Sequence, residues 1–273
     1  GCPPAPVPRL PARLPSIPRR EITVLKTMLS EWTKLRTTKS FYWTTGLSIV
    51  LTVIFVCFTA ALDSPDFPVY GGASVVYQFL FYGLMPIIIQ AVMVVTTDYR
   101  YNVNSINFAV TPRRWQVALA KLVVYGLIAV AITAVTLLLS YIAGDNFALY
   151  PVDWQTNIFA RRSLWAVPLI VFFLVMMAQG LGWILRSTAG AVMSMVALPI
   201  FELAVRFLPK IGEKIQFITP FSNALPFVLN SQTGRPNPFG GDPLGLWGSF
   251  GIVVVWAVVI YVIGLVLLER RDA

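Results

Sequence analysis

Six long apolar stretches constrain this 273-residue chain more than any other feature of its sequence. A helix rises ~1.5 Å per residue, so about 20 consecutive apolar residues cross the ~30 Å hydrocarbon core of a bilayer. Six stretches reach that length, and we place them at about residues 41–62, 71–96, 122–144, 163–185, 188–208 and 247–268. The sequence therefore predicts an all-α membrane protein with six transmembrane helices.

Few charged residues interrupt these stretches. Charged residues make up only 12% of the chain, against 57% hydrophobic residues, which is too little charge for the surface of a soluble protein. Positively charged loops stay in the cytoplasm, and with an internal N-terminus fifteen of the twenty-one Lys and Arg residues fall on that side. We therefore expect a multi-pass protein of a bacterial inner membrane with both termini cytoplasmic. The net charge of +9 follows from this bias and needs no nucleic-acid partner.

The residues before the first predicted span divide into two parts. Residues 1–20 are rich in proline and predict a disordered tail. Residues 21–40 predict an amphipathic helix in the membrane interface, because apolar residues recur there every three or four positions: Ile22, Leu25, Leu29, Trp32 and Leu35. Residues 41–273 then form one six-span domain. No intramolecular disulfide is expected, since Cys2 lies in the tail and Cys57 in the first span.

The sequence carries no catalytic or metal-binding pattern. The chain has no histidine, and it lacks CxxC, GxSxG and Walker-type motifs. Work that requires energy must therefore draw on a partner or on an ion gradient. Ionisable residues within or beside the spans are Lys121, which can snorkel to the inner interface, and Glu202 and Arg206, one helical turn apart in the fifth span. We interpret Glu202 and Arg206 as a structural ion pair, with a proton relay through Glu202 as the alternative.

A polar connector separates the second and third spans. It reads TDYRYNVNSINFAVTPRRW, residues 97–115, and the sequence AK follows at residues 120–121. Its DYR and PRR segments and this AK pair resemble the pattern of ABC-2-type permeases, the membrane subunits of one class of ATP-binding-cassette exporters. Residues 31–37, EWTKLRT, likewise resemble the N-terminal E-x-x-K-L-R-[ST] signature of that family.

The resemblance implies a permease that pairs with a second copy, as a homodimer or a related heterodimer, and with a separate ATP-binding-cassette ATPase. ATP and Mg²⁺ would bind that partner, so this chain itself would need no cofactor. The family's architecture implies a cytoplasmic coupling helix between spans 2 and 3, and outer re-entrant helices between spans 5 and 6. The implied ATPase contacts are Asp98, Tyr99, Arg100, Asn104, Ile106 and Phe108 in the coupling helix, with Glu31, Trp32, Lys34, Leu35 and Arg36 in the interfacial helix.

Three functions fit the sequence. The favoured one is outward movement of a hydrophobic or amphiphilic compound, such as a drug, lipid or lipopeptide, because the spans hold many aromatic and few polar residues. The aromatic candidates for a transport path are Tyr77, Phe81, Tyr82 and Tyr125, and the polar ones are Gln78, Gln90 and Gln179. An ion-gradient-driven secondary transporter is the first alternative, and a membrane-embedded enzyme is the less favoured second. The polar connector and the interfacial helix also have a simpler interpretation, as a positively charged inner loop and a membrane anchor.

Overall fold

The computed structural model describes residues 24–66, 68–101, 114–208, 212–215, 217–229 and 244–271, and every regular element in those ranges is helical. The predicted tail, residues 1–20, lies outside the described residues. We number the described helices in chain order as α1 Val24–Thr37, α2 Lys39–Ala61, α3 Gly72–Arg100, α4 Arg114–Phe147, α5 Ile158–Leu185, α6 Thr188–Arg206, α7 Gly212–Ile215, α8 Pro220–Leu229 and α9 Leu246–Arg271.

Six of these helices are long and apolar enough to cross a membrane, namely α2, α3, α4, α5, α6 and α9. They confirm the predicted all-α class and the six spans. The largest difference in bounds is at α4, which begins at Arg114 rather than near residue 122. A hydropathy pattern stops at polar residues, whereas the helix runs through them because Lys121 finds partners inside the protein.

The long helices alternate in direction, so the bundle has two ends. At one end, which we call the α1 end, the side chain of Lys121 on α4 reaches α1, and Arg114 reaches the last turn of α9. At the other, the α8 end, Arg162 at the start of α5 reaches the carbonyl oxygen of Phe227 on α8. The end of α3 and the start of α4, which flank the connector, therefore lie at the α1 end.

Helix α5 is the centre of the bundle, because it packs against α3, α4, α6, α8 and α9. It meets α9 at two glycines. A Cβ atom added to Gly264 would lie 2.8 Å from the carbonyl oxygen of Gly180, and one added to Gly180 would lie 2.9 Å from the Cα atom of Tyr261. Such small residues let two membrane helices approach backbone to backbone, where dispersion contacts stabilise the pair.

Helix α3 widens into a π-helical turn at Phe79–Gly83. Pro86 follows, and it has no N–H group to donate to the carbonyl of Tyr82, which explains why the regular hydrogen-bond ladder breaks here. The hydroxyl of Ser48 on α2 donates to the carbonyl oxygen of Gly83 at 2.7 Å. The irregular turn is therefore held by a side chain of the neighbouring helix.

Between α6 and α9, where outer re-entrant helices are expected, the described residues form two short helices, α7 and α8. Helix α8 packs against α5, α6 and α9 and is thus part of the bundle. The helix dipole of α8 favours a negative charge at its N-terminus and a positive charge at its C-terminus, and both are present. The carboxylate of Glu202 accepts the N–H groups of Phe221 and Ser222, and the guanidinium of Arg162 donates to the carbonyl of Phe227. Re-entry of these helices into a membrane stays a prediction.

Candidate functional site

The α1 end contains a buried cluster of charged residues that draws three helices together. The ammonium of Lys121 on α4 lies 2.8 Å from Glu31 Oε2 on α1 and 2.8 Å from Asp98 Oδ2 on α3. Only 2% of the Lys121 side chain is exposed. The expectation that Lys121 snorkels to the interface is therefore wrong, because two carboxylates supply the charge compensation that water would otherwise give.

The ammonium of Lys121 has an acceptor for each of its N–H groups. A lysine ammonium has three N–H groups, and a third acceptor, the carbonyl oxygen of Val94, lies 2.9 Å from it. Glu31 has a second cation, because Lys34 donates to its Oε1 at 2.6 Å. Among the described residues, two carboxylates of the cluster thus face two ammoniums. A buried cluster of this kind contributes little net stability to the fold. Removal of one member nevertheless destabilises the folded protein strongly, because the charge of its partner stays buried without compensation.

Glu31 is the member of the cluster on α1, outside the spans. Burial raises the pKa of its carboxyl, but the ammoniums of Lys121 and Lys34 outweigh burial and hold that pKa below its ordinary value. Glu31 therefore stays ionised at neutral pH. Because its pKa is lowered in the folded protein, its stabilising contribution is present at neutral pH and is lost only as the pH falls through that lowered value.

Helix α1 turns a polar face toward the bundle and an apolar face away from it. The residues buried against the protein include Thr27, Glu31 and Leu35, whereas Leu25, Leu29 and Trp32 are exposed. This arrangement is what a helix at a membrane interface requires, with its apolar side left for lipid. Among the predicted ATPase contacts in α1, Glu31 and Leu35 face inward and Lys34 is half-buried, while Trp32 and Arg36 are exposed.

The α3–α4 connector begins with residues that point into the protein. Asp98 is buried against Lys121, and the ring of Tyr99 lies against Trp183, with Arg186 4.9 Å above its centroid. These two residues hold the end of α3 against the bundle, and the outward-facing residues there are Arg100 and Tyr101. The remaining predicted contacts, Asn104, Ile106 and Phe108, lie outside the described residues.

Sequence reasoning missed Arg186 and Arg114 as anchors of this region. Arg186 closes the tight α5–α6 turn with a positive φ of 51°, and Ser187 caps α6 by accepting the N–H of Gly190. This left-handed turn places the Arg186 guanidinium over Tyr99. At the other end of the connector, Arg114 donates to the carbonyl oxygens of Leu268 and Glu269 on α9. Both flanks of the connector are therefore tied to the bundle.

The predicted pair of Glu202 and Arg206 falls at the α8 end. Glu202 is 5% exposed, and its oxygens accept the N–H groups of Phe221 and Ser222 at 3.2 and 2.7 Å. This cap gives the carboxylate a structural partner that the sequence did not indicate. The side chain of Arg206 lies outside the described residues, so its pairing with Glu202 stays a prediction.

Residues considered for a transport path have several different surroundings. Tyr77 and Phe81 line a cavity of about 540 Å³. Tyr125 is buried and donates to the carbonyl of Ile87, and Gln179 is buried beside the backbone of Lys121. Gln90 accepts from Ser40 and Thr44 on α2. Of these residues, Tyr77 and Phe81, near the start of α3, line a space large enough for a small molecule.

Comparison with protein families supplies independent information on the same chain. Residues 112–273, more than half of the chain, match a family described as ABC-2 family transporter protein. The matched segment runs from the start of α4 to the end of the chain, so it rests on neither the DYR nor the EWTKLRT segment. A comparison with curated proteins finds no match. With six candidate spans and a family match of this extent, the chain belongs to the ABC-2 transporter family and is a multi-pass membrane permease, a transporter domain rather than a catalytic one.

Proposed function

We propose that this chain is the membrane subunit of an ATP-driven exporter, and that a separate ATP-binding-cassette ATPase docks at the α1 end. The observation that carries the proposal is the cluster formed by Glu31, Asp98 and Lys121. It joins the interfacial helix to the helices on both sides of the α3–α4 connector. A force applied to the connector or to α1 would therefore reach α3 and α4 together.

The strength of the cluster supports this role. Separating Lys121 from its carboxylates would leave charges uncompensated in a dry environment, which costs about 3–5 kcal/mol in comparable buried pairs. Motions that keep the three helices together avoid that cost. The α1 end therefore moves most easily as a unit, as the docking surface of a motor subunit should. ATP and Mg²⁺ are assigned to the partner ATPase in this proposal.

The proposed orientation places the α1 end in the cytoplasm of a bacterial inner membrane, with both termini inside. The exposed residues at that end include Arg36 and Arg100, as the positive-inside rule expects. The cavity lined by Tyr77 and Phe81 then lies in the outer half of the membrane, and its apolar walls suit a hydrophobic or amphiphilic cargo. The permease would work with a second copy, as a homodimer or a related heterodimer.

The main rival is a secondary transporter with Glu202 as its proton carrier. The observed cap argues against it, because a carboxylate that changes protonation in each cycle would release two backbone donors of α8 each time. Glu202 is thus better explained as a fixed structural charge.

Purification from native membranes tests the proposal. A tagged chain extracted in mild detergent should retain an ATP-binding-cassette ATPase, and transport by the reconstituted complex should require ATP and stop with vanadate. Transport by the purified chain alone, driven by a proton gradient without ATP, would refute it.

A further inference from the structure

The cavity at the α8 end has an unusual composition. Its volume is about 540 Å³, within the range of small-molecule sites, and its walls come from α3, α5, α6 and α8. The walls are almost entirely aliphatic and aromatic. Among the described residues that line it, Glu202 alone carries a charge.

Two of the helices that line the cavity, α3 and α6, have an interrupted backbone hydrogen-bond pattern beside it. The π-helical turn of α3, Phe79–Gly83, contributes Leu80 and Phe81. On α6 the wall includes Pro199, which has no N–H group to offer the carbonyl of Met195. Such interruptions are frequent at functional sites, and in membrane helices they are tolerated where the backbone lines a cavity or is buried in protein.

The carboxylate of Glu202 is held in place at one wall. Its two oxygens accept one backbone N–H group each, from Phe221 and Ser222. These neutral donors orient the carboxylate and leave its net charge unchanged. A carboxylate has about four acceptor sites, so two hydrogen bonds leave room for further interaction with a cation.

The geometry points to a binding site for a lipophilic monocation, with its apolar body between α3 and α6 and its positive charge beside Glu202. A neutral body of the same size gains only the apolar contacts, whereas an anion is repelled by a carboxylate in a site of low dielectric. Arg162 on α5 is already engaged by the carbonyl of Phe227 and does not line the cavity. The inference rests on the proposed function, because the cation would be the cargo of the exporter.

The probe is a pair of ions of the same shape and opposite charge, tetraphenylphosphonium and tetraphenylborate. Binding of each is measured by equilibrium dialysis to the purified full chain in nanodiscs of zwitterionic lipid, with empty nanodiscs subtracted. We expect saturable binding of the phosphonium and none of the borate. Glu202→Gln should weaken phosphonium binding roughly tenfold or more, since a charge-assisted contact is lost.

Two further variants make the test decisive. Glu269→Gln removes an exposed carboxylate at the opposite end and should leave phosphonium binding unchanged. Val196→Trp fills the cavity without altering Glu202, so it should abolish binding even where Glu202→Gln fails to fold.

Equal binding of the two ions, or wild-type phosphonium binding in Val196→Trp, overturns the inference. A change in oligomeric state of Val196→Trp would also overturn it, because the cavity would then be an interface with a second copy. No step of this experiment uses an ATPase. It can therefore fail while the proposed function stands, and failure of ATPase co-purification is observed separately.

Discussion

Removal of the Lys121 charge should destabilise the α1 end far more than removal of an exposed lysine. Lys121→Met keeps the apolar stem but deletes the ammonium, so Glu31 and Asp98, with 4% and 12% of their side chains exposed, lose their shared partner. Removing one member of a buried ion pair costs about 3–5 kcal/mol. Glu31 keeps Lys34 at 2.6 Å, so we expect the lower end of that range, about 3 kcal/mol.

Thermal unfolding in nanodiscs measures this effect. For a protein of this size the apparent midpoint should fall by roughly 5–10 °C in Lys121→Met. Lys26→Met removes an exposed lysine from the same region and should leave the midpoint unchanged. The triple variant Glu31→Gln, Asp98→Asn, Lys121→Met removes all three buried charges together. It should recover most of the loss, because the remaining cation, Lys34, has 40% of its side chain exposed to solvent. A Lys121→Met protein as stable as the wild type, or a triple variant no better than the single one, would refute the account of the cluster.

Three further predictions concern other parts of the bundle. Gly264→Ala should destabilise the α5–α9 contact by about 1–3 kcal/mol, since its Cβ would meet a carbonyl oxygen, whereas Gly251→Ala in open space on the same helix should be neutral or slightly stabilising in thermal unfolding. Arg162→Met should speed hydrogen exchange of the amides in α8, because the Phe227 carbonyl loses its donor, and the exposed neighbour Arg161 changed to Met should not. A cysteine at Asn104 should react with an impermeant thiol reagent only from the cytoplasmic side; labelling from outside in intact cells would overturn the topology.

Most of the fold could be predicted from the sequence, because spans are set by apolar length. The bounds were least accurate where polar residues continue a span, as at Arg114, since hydropathy does not register a charge that is paired inside the protein. The π-helical turn at Phe79–Gly83 was also missed, although Pro86 was a visible signal for it.

The candidate site was predicted in its parts but not in its arrangement. Glu31, Asp98 and Lys121 were each noted, yet they are separated by long stretches of chain, and only helix packing brings them within 2.8 Å. Asp98 was expected to face the partner and instead lies buried against Lys121. The hydrogen bonds between Glu202 and the N-terminus of α8 could not be inferred either, because the sequence offered Arg206, one turn away on the same helix, as the partner of Glu202.

Cross-linking at the start of the α3–α4 connector tests the central claim most directly. Tyr101 is 70% exposed at the α1 end, and Tyr150 is 56% exposed at the α8 end, so each can be changed to cysteine in a background with Cys2→Ser and Cys57→Ser. In native membranes, a thiol-to-amine cross-linker at residue 101 should capture an ATP-binding-cassette ATPase, with a yield that changes when ATP is added. Residue 150 should capture none. Absence of an ATPase adduct at residue 101, or equal yields at the two positions, would contradict the account.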